Sequence, residues 1–203
     1  MAPADSIVVV DFETTGMSPD YGDRAIEIGA VRLEKGVVVD EFQALMNPGF
    51  RVNRFIEDFT GISNQMLAEA PPCGHVMLQF ADFLGDSNLL AHNASFDQRF
   101  LESEMQLIKR AYKGEFCCSM LVSRRVLQEA PNHKLGTLAN YVNLAVDGQF
   151  HRALYDAQMT SGIWLSMLEK IRAESACYDI SFTTMKKLSR VSKKQVGKFL
   201  ATL

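Results

Sequence analysis

The sequence contains no long apolar run, and this absence limits where the protein can reside. Of its 203 residues, 47% are hydrophobic, but no stretch of them has the length needed to cross a lipid bilayer. The first five residues also lack the basic and apolar regions of a secretory signal peptide. We therefore expect one compact domain with an ordinary core, located in the cytoplasm and without a membrane partner.

Two common sequence motifs are missing as well. The four cysteines (Cys73, Cys117, Cys118 and Cys177) show no CxxC spacing, and neighbouring cysteines are poor partners for a disulfide with each other. Reduced thiols fit this pattern better than a zinc site or a disulfide framework. No GxGxxG follows a predicted strand, which argues against a dinucleotide-binding oxidoreductase.

Acidic residues are absent from the end of the chain. Residues 180–203 hold six basic residues and no acid, a net charge of +6, whereas residues 1–179 hold 15 basic and all 24 acidic residues, a net charge of -9. The total of -3 argues against a general nucleic-acid binder. The asymmetry is typical of a nucleic-acid contact, but it is equally compatible with a solvated helix face.

The apolar pattern predicts strands first and then mainly helices. Strand-like runs cover residues 7–12, 25–33 and 37–45, and the short turn 34–36 predicts a hairpin. A short apolar run at 88–91 is typical of a buried strand. The predicted helices are 63–69, 75–84, 95–105, 119–128, 135–142 and 153–172. This order indicates an α/β layered domain.

A strand that ends in two acids is the most informative feature. Asp11 and Glu13 are alternate residues of the first predicted strand, so their side chains share one face. Two like charges that close together repel, and a divalent cation with a preference for oxygen ligands, such as Mg²⁺ or Mn²⁺, would compensate them. The alternative is a strand end whose acids simply face water.

Asp97 and Asp156 each lie in line with the apolar stripe of a predicted helix. Asp97 is followed at helical spacing by Phe100, Leu101 and Met105. Asp156 is followed on the same face of its predicted helix by Ile163, Met167 and Ile171. An acid in the first turn of a helix can also serve as a cap. His151 precedes Asp156 by five residues, and histidine has the most readily tuned pKa for a general base. A surface or core histidine is the alternative.

These three segments together offer four acids and one histidine. If the fold brings them together, the four carboxylates require metal ions, and two divalent ions form the usual clamp for displacement at phosphorus. Phosphodiester hydrolysis is then the reaction that the residues indicate. Spacing along the sequence does not establish this convergence.

Three motifs in order resemble the DEDD 3′–5′ exonuclease superfamily. They are DFETTG at residues 11–16, HNASFD at 92–97 and HRALYD at 151–156. The histidine five residues before the last Asp resembles the histidine subtype, and exonuclease X and the DNA polymerase III epsilon subunit look most similar. The resemblance covers roughly residues 7–172 and implies a ribonuclease H-like fold, in which a central mixed sheet with antiparallel N-terminal strands is flanked by helices.

The resemblance also implies roles for these residues. Asp11, Glu13 and Asp156 would hold one metal ion, Asp11 would bridge to a second, and Asp97 would coordinate the second ion directly or through water. His151 would deprotonate the attacking water. The implied cofactors are two Mg²⁺ or Mn²⁺ ions, and the implied product is a nucleoside 5′-monophosphate released from a free 3′ end.

Further residues match segments that contact the substrate in relatives. Met17 would lie against the terminal base, and Phe59, Thr60 and Ile62 would pack on the 3′-terminal nucleoside. Core packing is the alternative for Met17, Phe59 and Ile62. Thr14 and Asn93 would position the backbone near the site, with local turn hydrogen bonds as the alternative.

The sequence therefore predicts an exonuclease domain at residues 1–178 and a basic helical extension at 179–203 packed on the same domain. A capping box at 192–195 and an apolar stripe of Val196, Phe199, Leu200 and Leu203 predict a helix in this extension, with Lys194 and Lys198 facing outward. A second basic helix is expected to begin near Thr184. We predict that this surface holds the nucleic-acid backbone, with a solvated face as the alternative.

The expected partner is nucleic acid with a free 3′ end, with DNA favoured over RNA. An exoribonuclease of the ribonuclease T or oligoribonuclease kind is the main alternative, and an inactive nucleic-acid-binding module is a further one. The long C-terminal extension of the epsilon subunit is missing, so no association with a polymerase is expected. The motifs leave a homodimer open.

Overall fold

Five strands form one mixed sheet in the described parts of the chain, residues 2–145 and 152–203 of a computed structural model. His151, a predicted catalytic residue, lies outside these residues. The strands are β1 (Ile7–Thr14), β2 (Ala25–Glu34), β3 (Val37–Leu45), β4 (Leu89–Ala91) and β5 (Phe116–Cys118), in the order β3-β2-β1-β4-β5. The first three pair antiparallel, whereas β4 and β5 run parallel to β1. The predicted α/β class and mixed sheet are confirmed.

Helices cover both faces of this sheet. The helices are α1 (Arg54–Thr60), α2 (Asn64–Glu69), α3 (Cys73–Leu84), α4 (Ser95–Leu107), α5 (Ser119–Val126), α6 (Leu135–Tyr141), α7 (Ala153–Ser175), α8 (Phe182–Leu188) and α9 (Val196–Leu200). Short 3-10 turns lie at Pro19–Tyr21 and Lys193–Gln195. In the described residues, no helix is long and apolar enough to cross a membrane.

Alternation along β1 divides the core into two layers. Val8, Val10 and Phe12 pack with apolar residues of α3 and α4, whereas Ile7 and Val9 pack with α5 to α9. Asp11 and Glu13 belong to the second set by their strand period, so they point to the face that α7 covers. The strand therefore changes from apolar to acidic on the face that meets α7.

Most predicted elements are present with small shifts at their ends. The predicted hairpin forms because Lys35 and Gly36 both adopt positive φ, at 51° and 78°, as a tight two-residue turn between twisted strands requires. The helix at 54–60 and the strand at 116–118 were not predicted. The helix leaves Phe55 and Phe59 exposed, which hides its periodicity, and the three-residue strand is too short for an alternating pattern.

The end of the chain packs into the same core. Phe182, Met185 and Leu188 of α8, together with Val196 and Leu200 of α9, are buried beside α7. Residue 3 pairs with residue 181 in an isolated β-bridge, which ties the two ends of the described chain together. Lys194 and Lys198 are exposed, as predicted.

Two expectations for this extension were wrong. Leu203 is exposed, because α9 ends at Leu200. Ser192 makes no side-chain hydrogen bond to the start of its helix, since its hydroxyl donates to Gln195 Oε1 at 2.9 Å instead.

Candidate active site

The face of β1 that meets α7 carries the predicted acids. Asp11 and Glu13 pair across the sheet with Gly29 and Glu27 of β2, and Asp156 lies in the first turn of α7 directly above them. Asp11, Glu13 and Asp156 each offer a carboxylate oxygen, and these atoms lie within 4.8 Å of one another. The structure therefore brings together acids from positions 11 and 156 in the sequence.

Asp97 reaches the same strand from the opposite layer. The β4 strand pairs with β1 only as far as Val9, so the amide of Phe12 has no partner from β4. Asp97, in the first turn of α4, accepts a hydrogen bond from that amide at 3.2 Å through its Oδ1 atom. This contact places the Asp97 carboxylate next to Asp11, and the Asp97 charge raises the pKa of Asp11.

Three of the four acids are buried, Asp11 is half-buried, and the four repel one another. Glu13, Asp97 and Asp156 are at most 8% exposed. Burial, followed by the charges of Asp97, Asp156 and Glu13, raises the pKa of Asp11 well above its usual range. Burial and the neighbouring Asp156 raise the pKa of Glu13 to about 8, and burial raises that of Asp97 to about 8. A bound cation would reverse these shifts.

Glu27 was missed by the sequence interpretation, although it anchors α7. It is fully buried, and its carboxylate contacts the Arg152 guanidinium at 2.8 Å and accepts a hydrogen bond from the Ala153 amide at 3.2 Å. Gln43 donates to it at 2.9 Å. These contacts fix the start of the helix that carries Asp156. An acid within an apolar strand run was the signal that could have revealed Glu27.

A second buried glutamate anchors α4 in a similar way. Glu104 accepts two hydrogen bonds from the Arg24 guanidinium, at 2.7 and 2.8 Å, and one from the Ala25 amide at 3.3 Å. Arg24 and Ala25 lie at the start of β2. The helix that carries Asp97 is thus tied to the same strand that anchors α7.

Gly29 permits the close approach of α7 to the sheet. A Cβ atom at this position would lie 2.0 Å from the Leu154 amide nitrogen and 2.1 Å from the Ala153 carbonyl carbon. The start of α7 therefore rests directly on the β2 backbone beside Asp11, and only glycine leaves the room for it. A glycine inside a strand pattern was the available sequence signal.

The predicted substrate-binding residues divide into exposed and buried groups. Met17 is 74% exposed and Phe59 is 50% exposed, with the Phe59 ring stacked on Phe55 at 5.9 Å between centroids. Thr60 and Ile62 are buried: the Thr60 hydroxyl donates to the Ile56 carbonyl at 2.8 Å, and Ile62 packs in a small core cluster. Core packing therefore describes Ile62 but not the two exposed side chains.

Thr14 ends β1 and Asn93 lies in the turn before α4, each close in sequence to an acid of the cluster. The Thr14 hydroxyl donates to the Gly16 carbonyl at 2.6 Å. Asn93 adopts a left-handed backbone conformation, with φ of 67°, just before α4, and its carbonyl accepts from the Phe96 amide at 3.0 Å. Thr14 shapes the backbone that leaves Glu13, and Asn93 shapes the backbone that leads to Asp97.

This fold and this set of acids are those of an exonuclease domain. A family model described as Exonuclease (RNase_T) matches residues 8–164, and the chain belongs to this family. The family assignment confirms the resemblance found in the three motifs. Members of the DEDD family need divalent metal ions, and the cluster of acids that could hold them is present.

Curated relatives are longer than this chain. It is 36% identical over 165 residues to the PolC-type DNA polymerase III of Caldanaerobacter subterraneus, covering 81% of this chain but 12% of that protein. It is 36% identical over 189 residues to the 3′-5′ exonuclease DinG of Bacillus subtilis, covering 92% and 19% respectively.

Solved structures share the fold. Exonuclease X in complex with 5′ overhanging duplex DNA has a TM-score of 0.69 at 24% identity, covering 90% of this chain and 98% of that one. The nuclease domain of 3′hExo, a DEDDh family member bound to rAMP, has a TM-score of 0.66 at 23% identity, covering 81% and 92%. The ribonuclease H-like fold is thereby confirmed.

Proposed function

We propose that the protein is a metal-dependent 3′–5′ exonuclease that hydrolyses DNA from a free 3′ end and releases nucleoside 5′-monophosphates. The observation that carries this proposal is the convergence of Asp11, Glu13 and Asp156, whose carboxylate oxygens lie within 4.8 Å of one another, with Asp97 beside them. Family membership supports the reaction class.

The donor set fits hard divalent cations. Every side chain in the cluster offers oxygen, which Mg²⁺ and Mn²⁺ prefer. Burial and then the charges of neighbouring acids raise the pKa of Asp11 and of Glu13, and a bound cation would oppose both effects. Asp11, Glu13 and Asp156 would hold one ion, and Asp11 with Asp97 would hold a second. When bound, such ions stabilise the negative charge that develops on a phosphodiester during hydrolysis.

The protein residues would orient the substrate and move a proton. Met17 and Phe59 offer exposed apolar surface for the terminal nucleoside, with the backbone around Thr60 and Ile62 held rigid beneath it. His151 would take the proton of the attacking water as oxygen bonds to phosphorus and the 3′ oxygen of the preceding nucleotide leaves. Arg152, which follows His151, is fixed by Glu27, so the chain enters α7 at a defined point.

DNA is the proposed substrate because the curated relatives include DNA polymerases by name. An exoribonuclease is the second candidate, since one structural neighbour is described as recognising the 3′ end of histone mRNA. The intact set of acids argues against an inactive binding module. The polymerase relatives contain the matched region within a much longer chain. That this protein does not associate with a polymerase stays a prediction.

Matched oligomers test the proposal. Purified protein with Mg²⁺ or Mn²⁺ should shorten DNA carrying a 5′ label one nucleotide at a time, and should release the label of 3′-labelled DNA at once as a mononucleotide. RNA of the same sequence should be cut more slowly, and a 3′ phosphate should block degradation. Cleavage of circular single-stranded DNA at a comparable rate would contradict an enzyme that requires a free end.

A separate experiment tests the role of His151. We expect His151→Gln to lower the rate by about 10²–10⁴-fold, the usual contribution of a general base, while the affinity for Mn²⁺ measured by calorimetry stays near that of the wild type. His75→Gln, on the exposed surface of α3, is the matched control. A large loss of Mn²⁺ binding in His151→Gln would assign His151 to the metal site instead.

A further inference from the structure

A cavity of about 230 Å³ lies outside the carboxylate cluster, where α4, β5, α5 and α8 meet. Its walls include Ser95 and Gln98 from α4, Phe116 from β5, Leu121 from α5, and Lys186 and Arg190 from the C-terminal extension. We call these six residues the basic groove. It joins the exonuclease fold to the part of the chain in which no family motif was recognised.

Two positive charges from the same side of the extension line this groove. Lys186 and Arg190 are four residues apart, one helical turn along α8 and the turn that follows it. Lys186 Nζ lies 2.5 Å from Glu115 Oε1, so part of its charge is already balanced. The Arg190 guanidinium forms no hydrogen bond or ion pair within residues 2–145 and 152–203, and it is exposed to solvent.

The surroundings of the groove are also positive. Arg124 is exposed on α5, one helical turn after the groove residue Leu121. The charges of Lys193 and Arg124 both contribute, after burial, to lowering the pKa of His133, so a cation of the extension also lies near this part of α5. Residues 180–203 of the extension contain no acid. A negatively charged ligand is therefore favoured in this region, and Glu115 is the acid that opposes it.

The groove is adjacent to the active site. Ser95 and Gln98 flank Asp97 in the first turn of α4, and a helix rises only about 1.5 Å per residue. The Asp97 side chain faces β1, whereas its neighbours line the groove. A ligand that extends from the carboxylates past the start of α4 would therefore reach the groove that Arg190 lines.

We propose that the basic groove binds a backbone phosphate of the substrate strand, on the 5′ side of the phosphodiester that is hydrolysed. This inference rests on the proposed function, because it assumes that the 3′ end lies at the four acids. Arg190 would pair with the phosphate through its free guanidinium, and Phe116 and Leu121 would contact the attached sugar. Such a contact adds affinity without selecting sequence, and DNA and RNA backbones share the chemistry it recognises.

Charge reversal at Arg190 tests the groove. Binding of a 5′-labelled 12-nucleotide DNA, and of RNA of the same sequence, would be measured by fluorescence anisotropy in EDTA at several salt concentrations. We expect Arg190→Glu to weaken both by about tenfold in 0.1 M salt, and Arg190→Ala by about threefold. Loss of one phosphate contact should also reduce the slope of log K against log salt by about 0.7.

Arg110→Glu is the matched control. Arg110 is an exposed arginine beyond the C-terminal end of α4, it does not line the groove, and it undergoes the same change of charge. Its effect on affinity should be less than twofold. Thermal unfolding checks that both variants fold, which we expect because both side chains are exposed.

A dinucleotide separates this inference from the proposed function. It has one internucleotide phosphate, the scissile one, and therefore none for the groove, so Arg190→Glu should hydrolyse it at the wild-type rate. Equal binding by Arg190→Glu and Arg110→Glu would overturn the groove, as would a loss confined to RNA, which would indicate a 2′-hydroxyl contact. Failure of the wild type to hydrolyse either substrate would instead contradict the proposed function.

Discussion

At the scale of single residues, burial and mutual repulsion disfavour the ionised form of the acids in the cluster. Burial comes first among the causes that raise the pKa of Asp11, Glu13 and Asp97, and for Asp11 and Glu13 the charges of neighbouring acids come next. Such an arrangement lowers the stability of the fold when no cation is bound. A site of this kind is typical of function rather than of folding.

Removing one acid should separate the contribution of the cluster to catalysis from its cost to stability. We expect Asp11→Asn to lower hydrolysis of DNA by about 10³-fold or more, because Asp11 is proposed to contact both ions. The same variant should raise the melting temperature of the metal-free protein, since it relieves repulsion within the cluster. Asp82→Asn, on the exposed surface of α3, should change neither quantity. A folded Asp11→Asn protein with wild-type activity would refute the site.

Stability should depend on pH in a defined direction. The pKa of Glu13 rises from 4.5, and that of Asp97 from 3.8, to about 8 on folding. The folded state therefore binds more protons than the unfolded state between about pH 4 and 8, so the free energy of unfolding decreases as pH rises through this interval.

Calorimetry in EDTA should then show a melting temperature that is about 5 °C lower at pH 8 than at pH 5. Added Mg²⁺ should stabilise the protein more at pH 8 than at pH 5, because the cation competes with protons for the same oxygens. A melting temperature in EDTA that is independent of pH would contradict the raised pKa values.

At the scale of secondary-structure elements, β2 positions both helices that supply acids to the cluster. Glu27 anchors the start of α7 through Arg152 and Ala153, while Arg24 and Ala25 anchor Glu104 of α4. The two helices lie on opposite faces of the sheet, yet each is tied to the strand next to β1. The distance between Asp97 and Asp156 therefore depends on a strand that itself carries none of the four acids.

The Glu27–Arg152 ion pair should matter more than a surface pair. Glu27→Gln should destabilise the protein by about 2–4 kcal/mol, because it leaves Arg152 without its charged partner, although partial exposure of Arg152 reduces the cost. Asp58→Asn, which removes the exposed pair with Arg54, should cost less than about 1 kcal/mol. Urea denaturation of both variants measures the difference, and equal losses would show that burial of Glu27 has no special effect.

Contact between α7 and the sheet can be tested at Gly29. A methyl group there would meet the Ala153–Leu154 backbone, so Gly29→Ala should displace the start of α7 and weaken Mn²⁺ binding, with a cost in stability of about 1–3 kcal/mol. Gly74→Ala on α3 is the control, since its nearest neighbour would be Ile108 Cγ2 at 3.5 Å, an ordinary van der Waals contact. Unchanged Mn²⁺ affinity in folded Gly29→Ala would show that the helix start is not critical.

At the scale of the whole molecule, the C-terminal extension belongs to the main core. Its buried apolar residues are Ile180, Phe182, Met185, Leu188, Val196 and Leu200. Backbone hydrogen bonds also join Ala4 to Ile180 and Ala2 to Phe182. We therefore propose that residues 179–203 fold as part of the domain at 1–178 and not as an independent unit.

Truncation tests this division of the chain. Ending the protein at residue 179 exposes the core surface beneath α8 and α9, and each buried side chain contributes about 1.5–3 kcal/mol. The melting temperature should fall by at least about 10 °C. A chain that ends at residue 200, which removes only exposed residues, is the control. Similar melting temperatures for the two truncations would show that the extension is peripheral.

The sequence alone determined the order of most elements and the acids that could form a cluster. Strand alternation put Asp11 and Glu13 on one face, and helical periodicity aligned Asp97 and Asp156 with apolar stripes that must face the core. These are local patterns that repeat every two or every 3.6 residues, so they can be found without knowledge of the fold. The positions of α1 and β5 could not be found in this way. Exposed aromatic residues hide the helical periodicity of α1, and β5 is too short to show an alternating pattern.

Only the tertiary structure decided which distant residues meet. The contact between Asp97 and the Phe12 amide depends on where β4 ends, and the approach of Asp156 depends on the missing side chain of Gly29 and on the buried charge of Glu27. The position of Arg190 beside the start of α4 likewise follows from how α8 packs. Packing between elements far apart in the chain leaves no period in the sequence, and this is why the supporting residues were found only in the folded protein.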